Sequence, residues 1–238
     1  MRPLLSLTLF FLLSSSLMGQ SKPGLEITHL SGNFYVYTTY SLYKDAYVSA
    51  NCMYLVTNKG VVLFDTPWDP DEYQPLLDSI QKRHQQKVIM VIATHSHEDR
   101  AGGIGFYNKK GLKTYTSNKT DQILKLAGKA RARHTFKSDT TFSAGQYRFQ
   151  AYYAGEGHTK DNIVIWFEKE RILYGGCLVK STEATGLGFT GEANLAEWPK
   201  TIRKLQQKFP DPAYIITGHD GWSGTRSLDH TLELLEAN

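Results

Sequence analysis

The sequence predicts an α/β protein in which two β-sheets lie between outer helices. Three observations carry this. Short β-branched and aromatic runs fill the N-terminal third, strands and helices alternate after it, and the run Val88–Ala93 is apolar throughout, as a strand covered on both faces is. The 238 residues exceed a common domain length, yet layered α/β folds of this size form single units, and 41% hydrophobic residues suffice for a large core.

Met1-Arg2-Pro3, an apolar run from Leu4 to Leu13 and the small-residue exit Ser14 to Gln20 form the pattern of an export signal over residues 1–20. An apolar run of about ten residues falls well short of the roughly 20 that cross a bilayer. Cleavage near Gly19 or Gln20 leaves Ser21-Lys22-Pro23 at the new terminus, with no cysteine there for a lipid anchor. The expectation is one soluble domain, residues 21–238, exported to a periplasm or the medium. The net charge of +4 is mild and its lysines are scattered, which argues against nucleic acid as a partner.

Strands are expected over Asn33–Tyr40, Ala50–Thr57 and Val61–Asp65, the last two joined by the turn Asn58-Lys59-Gly60. Trp68-Asp69-Pro70 caps a helix from Asp71 to His84, with Tyr73, Leu76, Leu77 and Ile80 on one face. Strand Val88–Ala93, strand Lys113–Thr116 and helix Thr120–Ala130 follow. Then come strands Gly145–Tyr153, Ile163–Phe167 and Ile172–Tyr174, helix Leu195–Phe209, strand Tyr214–Ile216 and helix Leu228–Leu235.

Candidate metal ligands fall just past these strand ends: His95, His97 and Asp99 after Ala93, His158 after Tyr153, Cys177 after Tyr174, His219 after Ile216. Ends along one sheet edge converge, so these distant residues can meet in a cleft. Zinc accepts imidazole, thiolate and carboxylate, and a catalytic site uses three protein ligands and keeps one position open. Six donors make two such sets. The alternation His95-x-His97-x-Asp99 is expected to keep its three side chains from one ion and to straddle two, on the order of 3.5–4 Å apart. The isolated His29, His84, His134 and His230 read as ordinary polar residues. In an exported chain Cys52 and Cys177 are alternatively a disulfide, although the glycine-flanked loop of Cys177 favours ligation.

The segments Leu63-Phe64-Asp65-Thr66-Pro67-Trp68, Thr94 to Gly103, Gly157-His158-Thr159-Lys160-Asp161-Asn162, Gly175 to Lys180 and Gly218-His219 make the chain resemble the metallo-β-lactamases of subclass B1, from about Gly32 to the C-terminus. The resemblance implies a four-layer αββα sandwich and two Zn2+ ions. It assigns His95, His97 and His158 to the first ion and Asp99, Cys177 and His219 to the second. It further implies a monomer that hydrolyses β-lactams, with His95, His97 and Asp99 at the reaction and Lys180 pairing with the substrate carboxylate. The lesser alternative for Lys180 is an ordinary exposed lysine, and Trp68 either lines the cleft or equally packs in the core. Thioesterases, lactonases and nucleases of the wider superfamily carry a second histidine where Arg100 stands and a bridging carboxylate where Cys177 stands, so both residues point to the lactamase branch. Arg100 is expected beneath the metal site, hydrogen-bonding Asp99 or nearby backbone. Phe189 departs from the pattern, since many relatives have an asparagine there that helps bind substrate. The alternatives are hydrolysis of another ester or thioester by the same site, and a noncatalytic exported zinc-binding or disulfide-linked protein.

Overall fold

The computed structural model describes residues 21–237. The export signal expected over residues 1–20 lies outside the described residues.

The first sheet has seven strands in sequence order. Strands β1 (Glu26–Ser31), β2 (Phe34–Tyr43), β3 (Ala46–Thr57) and β4 (Gly60–Phe64) form an antiparallel meander, because turns of two residues can only reverse the chain. Strands β5 (Val88–Ala93), β6 (Lys113–Ser117) and β7 (His134–Phe136) join in parallel, each after a helical crossover. The crossovers carry α1 (Tyr73–His84), α2 (Glu98–Ala101), α3 (Ile104–Lys109) and α4 (Asn118–Leu126). The second sheet has β8 (Thr140–Ala144), β9 (Tyr147–Tyr152), β10 (Val164–Phe167), β11 (Ile172–Gly176) and β12 (Tyr214–Thr217), in the order β12-β11-β10-β9-β8. Its one parallel pair, β11 with β12, spans the crossover helix α5 (Trp198–Lys208), and α6 (Ser227–Glu236) closes the chain.

The four-layer αββα sandwich follows from strand alternation. In β4, Val62 and Phe64 face the second sheet while Val61 and Leu63 meet Leu76 and Ile80 of α1. In β11, Ile172 and Tyr174 face the first sheet while Leu173 meets Trp198, Ile202 and Leu205 of α5. Aromatic rings interlock between the sheets, Phe64 edge-on to Phe149 at 5.2 Å and to Phe167 at 5.5 Å. Among the described residues no helix is long and apolar enough to cross a membrane.

The helix boundaries differ from expectation for local reasons. Asp69 caps as expected, accepting from Asp71 N, but residues 70–72 form a 3₁₀ turn before α1 begins. Helix α4 starts earlier because Ser117 accepts from Thr120 N, and it ends at Leu126, two residues ahead of Gly128 at φ 66°. Helix α5 starts later because Trp198 N and Glu197 N both bond back to Asn194 O, making a separate turn. Strands β1, β7 and β8 and helices α2 and α3 are additions to the predicted elements. They are short and gain order from the surfaces they pair with.

Replacing Phe64 by alanine removes a ring that touches both Phe149 and Phe167. The expected cost is about 3–5 kcal/mol, seen in urea melts as a lower midpoint at unchanged slope.

Candidate metal centre

The six predicted ligands come together in one cleft at the ends of both sheets. His95 and His97 follow β5, Asp99 lies in α2, His158 sits between β9 and β10, and Cys177 and His219 follow the parallel pair β11 and β12. Gly218 brings the last two loops into contact. A Cβ there would lie 2.6 Å from Cys177 N, so no larger residue lets the two backbones approach this closely.

The rings of His95, His97 and His158 form a mutual edge-to-face triad, with centroids 4.8, 5.1 and 5.0 Å apart. His158 Nε2 and His97 Nδ1 face each other at 3.2 Å. Beside them Cys177 Sγ lies 3.3 Å from both Asp99 Oδ2 and His219 Nε2, and His219 Nε2 lies 3.4 Å from Asp99 Oδ2. Among the described residues, three sets have donor atoms all within 4.8 Å of one another: Asp99, Cys177 and His219; His95, His158 and Cys177; and His95, His97 and Asp99. The last set corrects the expectation that the alternating motif keeps its side chains apart. Helix α2 begins at Glu98, so Asp99 curls back toward the two histidines instead of continuing an extended chain.

These donors fit a cation of zinc's character, which takes nitrogen, sulfur and oxygen ligands. His95 Nε2 is buried without a hydrogen-bond partner. Burial, with the neighbouring imidazoles, holds His95 and His158 well below the usual histidine range, which leaves them as neutral rings with lone pairs to offer. Burial opposes ionisation of Asp99, but the Arg100 guanidinium and His219 outweigh it and hold the carboxyl well below its ordinary value. Burial pushes the Cys177 thiol up despite Arg100, so a cation is what would favour its thiolate.

Arg100 is fully buried and donates in every direction. Its Nε lies 2.9 Å from Asp99 Oδ2 and 3.1 Å from Cys177 Sγ; its Nη1 reaches Asn51 O at 2.6 Å, Tyr174 OH at 3.2 Å and Cys52 Sγ at 3.4 Å; its Nη2 reaches Gly218 O at 2.7 Å. The position beneath the ligands is the one expected. Asp65, at φ 68°, balances it from 3.6 Å and accepts from Thr94 N, Thr94 Oγ1 and Tyr174 OH at 2.6, 2.9 and 2.5 Å. Burial pushes its carboxyl up to about 6 against those partners. Both cysteines are free, which removes the disulfide alternative, and Cys52 is a core residue touching Arg100.

A cavity of about 870 Å³ opens above the ligands, lined by Tyr43, Trp68, Lys180 and Phe189 among others. Trp68 therefore lines the cleft, edge-on to His219 at 6.1 Å. Lys180 is buried instead of exposed; its ammonium lies over the Trp198 ring at 5.4 Å and has no hydrogen-bond or ion-pair partner among the described residues. Desolvation lowers its pKa. The four isolated histidines lie elsewhere: His29 against Gly32 O, His84 against Tyr54 OH, His134 on the Tyr115 ring and His230 against Ala184 O. Sequence reasoning missed Asp65 as the partner of Arg100 and Glu192, whose Oε2 lies 3.1 Å from His97 Nε2. Neither stands next to a motif histidine or cysteine in the chain, so no local signal marks it.

An αββα sandwich with imidazole, thiolate and carboxylate donors gathered at its strand ends defines a metal-binding protein of the hydrolase-like α/β class. Residues 47–219 match the family described as the metallo-beta-lactamase superfamily, and the chain belongs to it. It is 48% identical over 224 residues to metallo-beta-lactamase IND-1 of Chryseobacterium indologenes, covering 94% of each chain. It is 46% identical over 217 residues to a metallo-beta-lactamase type 2 of Elizabethkingia meningoseptica, covering 91% of this chain and 87% of the relative. The crystal structure of metallo-beta-lactamase IND-7 superposes with a TM-score of 0.87 at 49% identity, over 89% of this chain and 98% of that one.

Replacing Arg100 by alanine strands Asp65 as a buried charge and is expected to cost about 3–5 kcal/mol of stability. Adding Asp65→Asn to that variant should recover part of the loss, and a denaturant melt of the single and double variants measures both.

Proposed function

We propose that this chain is an exported enzyme that hydrolyses the β-lactam amide bond of penicillins, cephalosporins and carbapenems and so confers antibiotic resistance. The observation that carries the reading is the unpaired ammonium of Lys180 in the cavity that His97, Asp99, His158 and His219 also line. Most β-lactams carry a carboxylate near the scissile bond, and Lys180 supplies its counter-charge.

His95, His97 and His158 would hold one zinc ion, and Asp99, Cys177 and His219 a second. Zinc supplies a Lewis acid that acidifies water and polarises a carbonyl. The remaining work falls to this chain's side chains. Asp99 Oδ2 is engaged by Arg100, with His219 and Cys177 beside it, while Oδ1 has no partner among the described residues and can accept a hydrogen bond that orients the attacking water. When the C–N bond opens, the oxygen of that water stays on the acyl carbon and its proton passes through cavity water to the ring nitrogen. Trp68, Tyr43 and Phe189 supply apolar cavity wall, shielding the acyl carbon from bulk solvent. Phe189 cannot donate a hydrogen bond, so recognition of the substrate's charged end rests on Lys180. Export through residues 1–20, a single catalytic domain over 21–238 and action as a monomer belong to the same reading.

Purified mature protein should hydrolyse a carbapenem and a cephalosporin, followed by absorbance, lose turnover to a chelator and regain it with added zinc. No turnover from a sample containing two zinc ions per chain overturns the reading in favour of thioester or lactone substrates. Lys180→Ala should raise KM by roughly 10–100-fold with little change in kcat, equivalent to about 1.5–3 kcal/mol. Steady-state kinetics on the same two substrates reads this directly.

A further inference from the structure

The second nitrogens of two candidate ligands are held in different ways. His219 Nδ1 meets a main-chain carbonyl, Ser49 O, at 2.5 Å, so its orientation belongs to the sheet. His97 Nε2 meets a side chain, Glu192 Oε2, at 3.1 Å. Glu192 stands on the segment between buried Leu187 and Asn194, which rims the cavity. Asn194 anchors one end, its N donating to Gly157 O at 2.8 Å and its Nδ2 to Glu156 Oε2 at 2.7 Å. The same segment places the Phe189 ring edge-on to His97, centroids 5.7 Å apart. Gly191 lies beneath that ring, where a Cβ would approach Phe189 Cζ to 2.7 Å, so the loop folds tightly enough for Phe189 and Glu192 to reach one imidazole together.

A carboxylate only accepts, so in this contact His97 Nε2 carries the proton. Nδ1, which faces His158, is then left with its lone pair. We propose that Glu192 is a positioning residue: it selects the His97 tautomer that offers Nδ1 to a metal, and it thereby couples the cavity-rim loop 187–194 to metal affinity. The proposal rests on the reading of His97 as a ligand given above. Coupling of this kind is reciprocal, so an ion held by His97 orders the loop as much as the ordered loop favours the ion. Because Glu192 and Phe189 also line the cavity, the loop that meets a substrate is the loop that presets one donor.

The test uses the whole mature protein and zinc alone as the probe. Long-range ¹H–¹⁵N correlation spectra of ¹⁵N-labelled, metal-free protein should show His97 protonated at Nε2, and Glu192→Ala should give a mixture of tautomers. Competition with a chromophoric chelator should show zinc bound roughly 10–100-fold more weakly by Glu192→Ala, with Glu192→Gln recovering most of the loss because its amide oxygen still accepts. Zinc should slow hydrogen exchange of amides in residues 187–194 of the wild type and leave those of Glu192→Ala unchanged. Unchanged tautomer and zinc affinity in Glu192→Ala overturn the proposal, and a changed tautomer with unchanged affinity overturns the coupling. None of these readouts involves a β-lactam, so failure of the lactamase reading would leave them intact. Glu192 is 58% exposed, so its replacement spares the core.

Discussion

A buried guanidinium is the constraint on which this site depends. Arg100 is wholly removed from water, where an unpaired charge costs several kcal/mol. Every partner it needs must therefore arrive with its own element. Asn51 comes from β3, Tyr174 from β11, Cys177 and Gly218 from the loops after β11 and β12, and Asp65 from the end of β4. Those elements belong to both sheets, so the charge is satisfied only when the sheets are stacked in register. The same residue lies 2.9 Å from Asp99, which ties the alignment of the sandwich to a candidate ligand.

The site is organised in two tiers that follow from this. Beneath the donors lies a polar floor of Arg100, Asp65, Tyr174 and Thr94, bonded to one another and closed to solvent. Above it the donors themselves are poorly served by protein partners, with imidazole nitrogens and a thiol facing one another at 3.2 to 3.3 Å. Order below and unmet valence above is the arrangement a metal site requires. The floor determines where the donors stand, and a cation then satisfies their lone pairs.

The rim differs in kind from the floor. Lys180, Trp68 and Phe189 meet the cavity from separate loops, and Tyr43 from the end of β2. Phe189 and Glu192 reach down to His97 and link the rim segment to the histidine triad described above. In the reading proposed above, substrate selection and metal holding meet at one imidazole.

Much of this was readable in the chain. The apolar alternation in β4 and β11 and the donor-rich turns after β5, β11 and β12 are local patterns, and the donors are local to the strands that place them. The sequence by itself determined the layer types and marked the six candidate donors past the strand ends, because each depends on residue type and spacing along one segment, whereas a role for Lys180 came only from the family resemblance. The tertiary structure alone decided that Asp99 turns back at the start of α2, that both cysteines stay free around Arg100, that Lys180 is buried, and that Glu192 meets a histidine 95 positions away. Those outcomes depend on which surfaces exclude water together. Desolvation is a property of the packed sandwich, and no spacing within one segment encodes it.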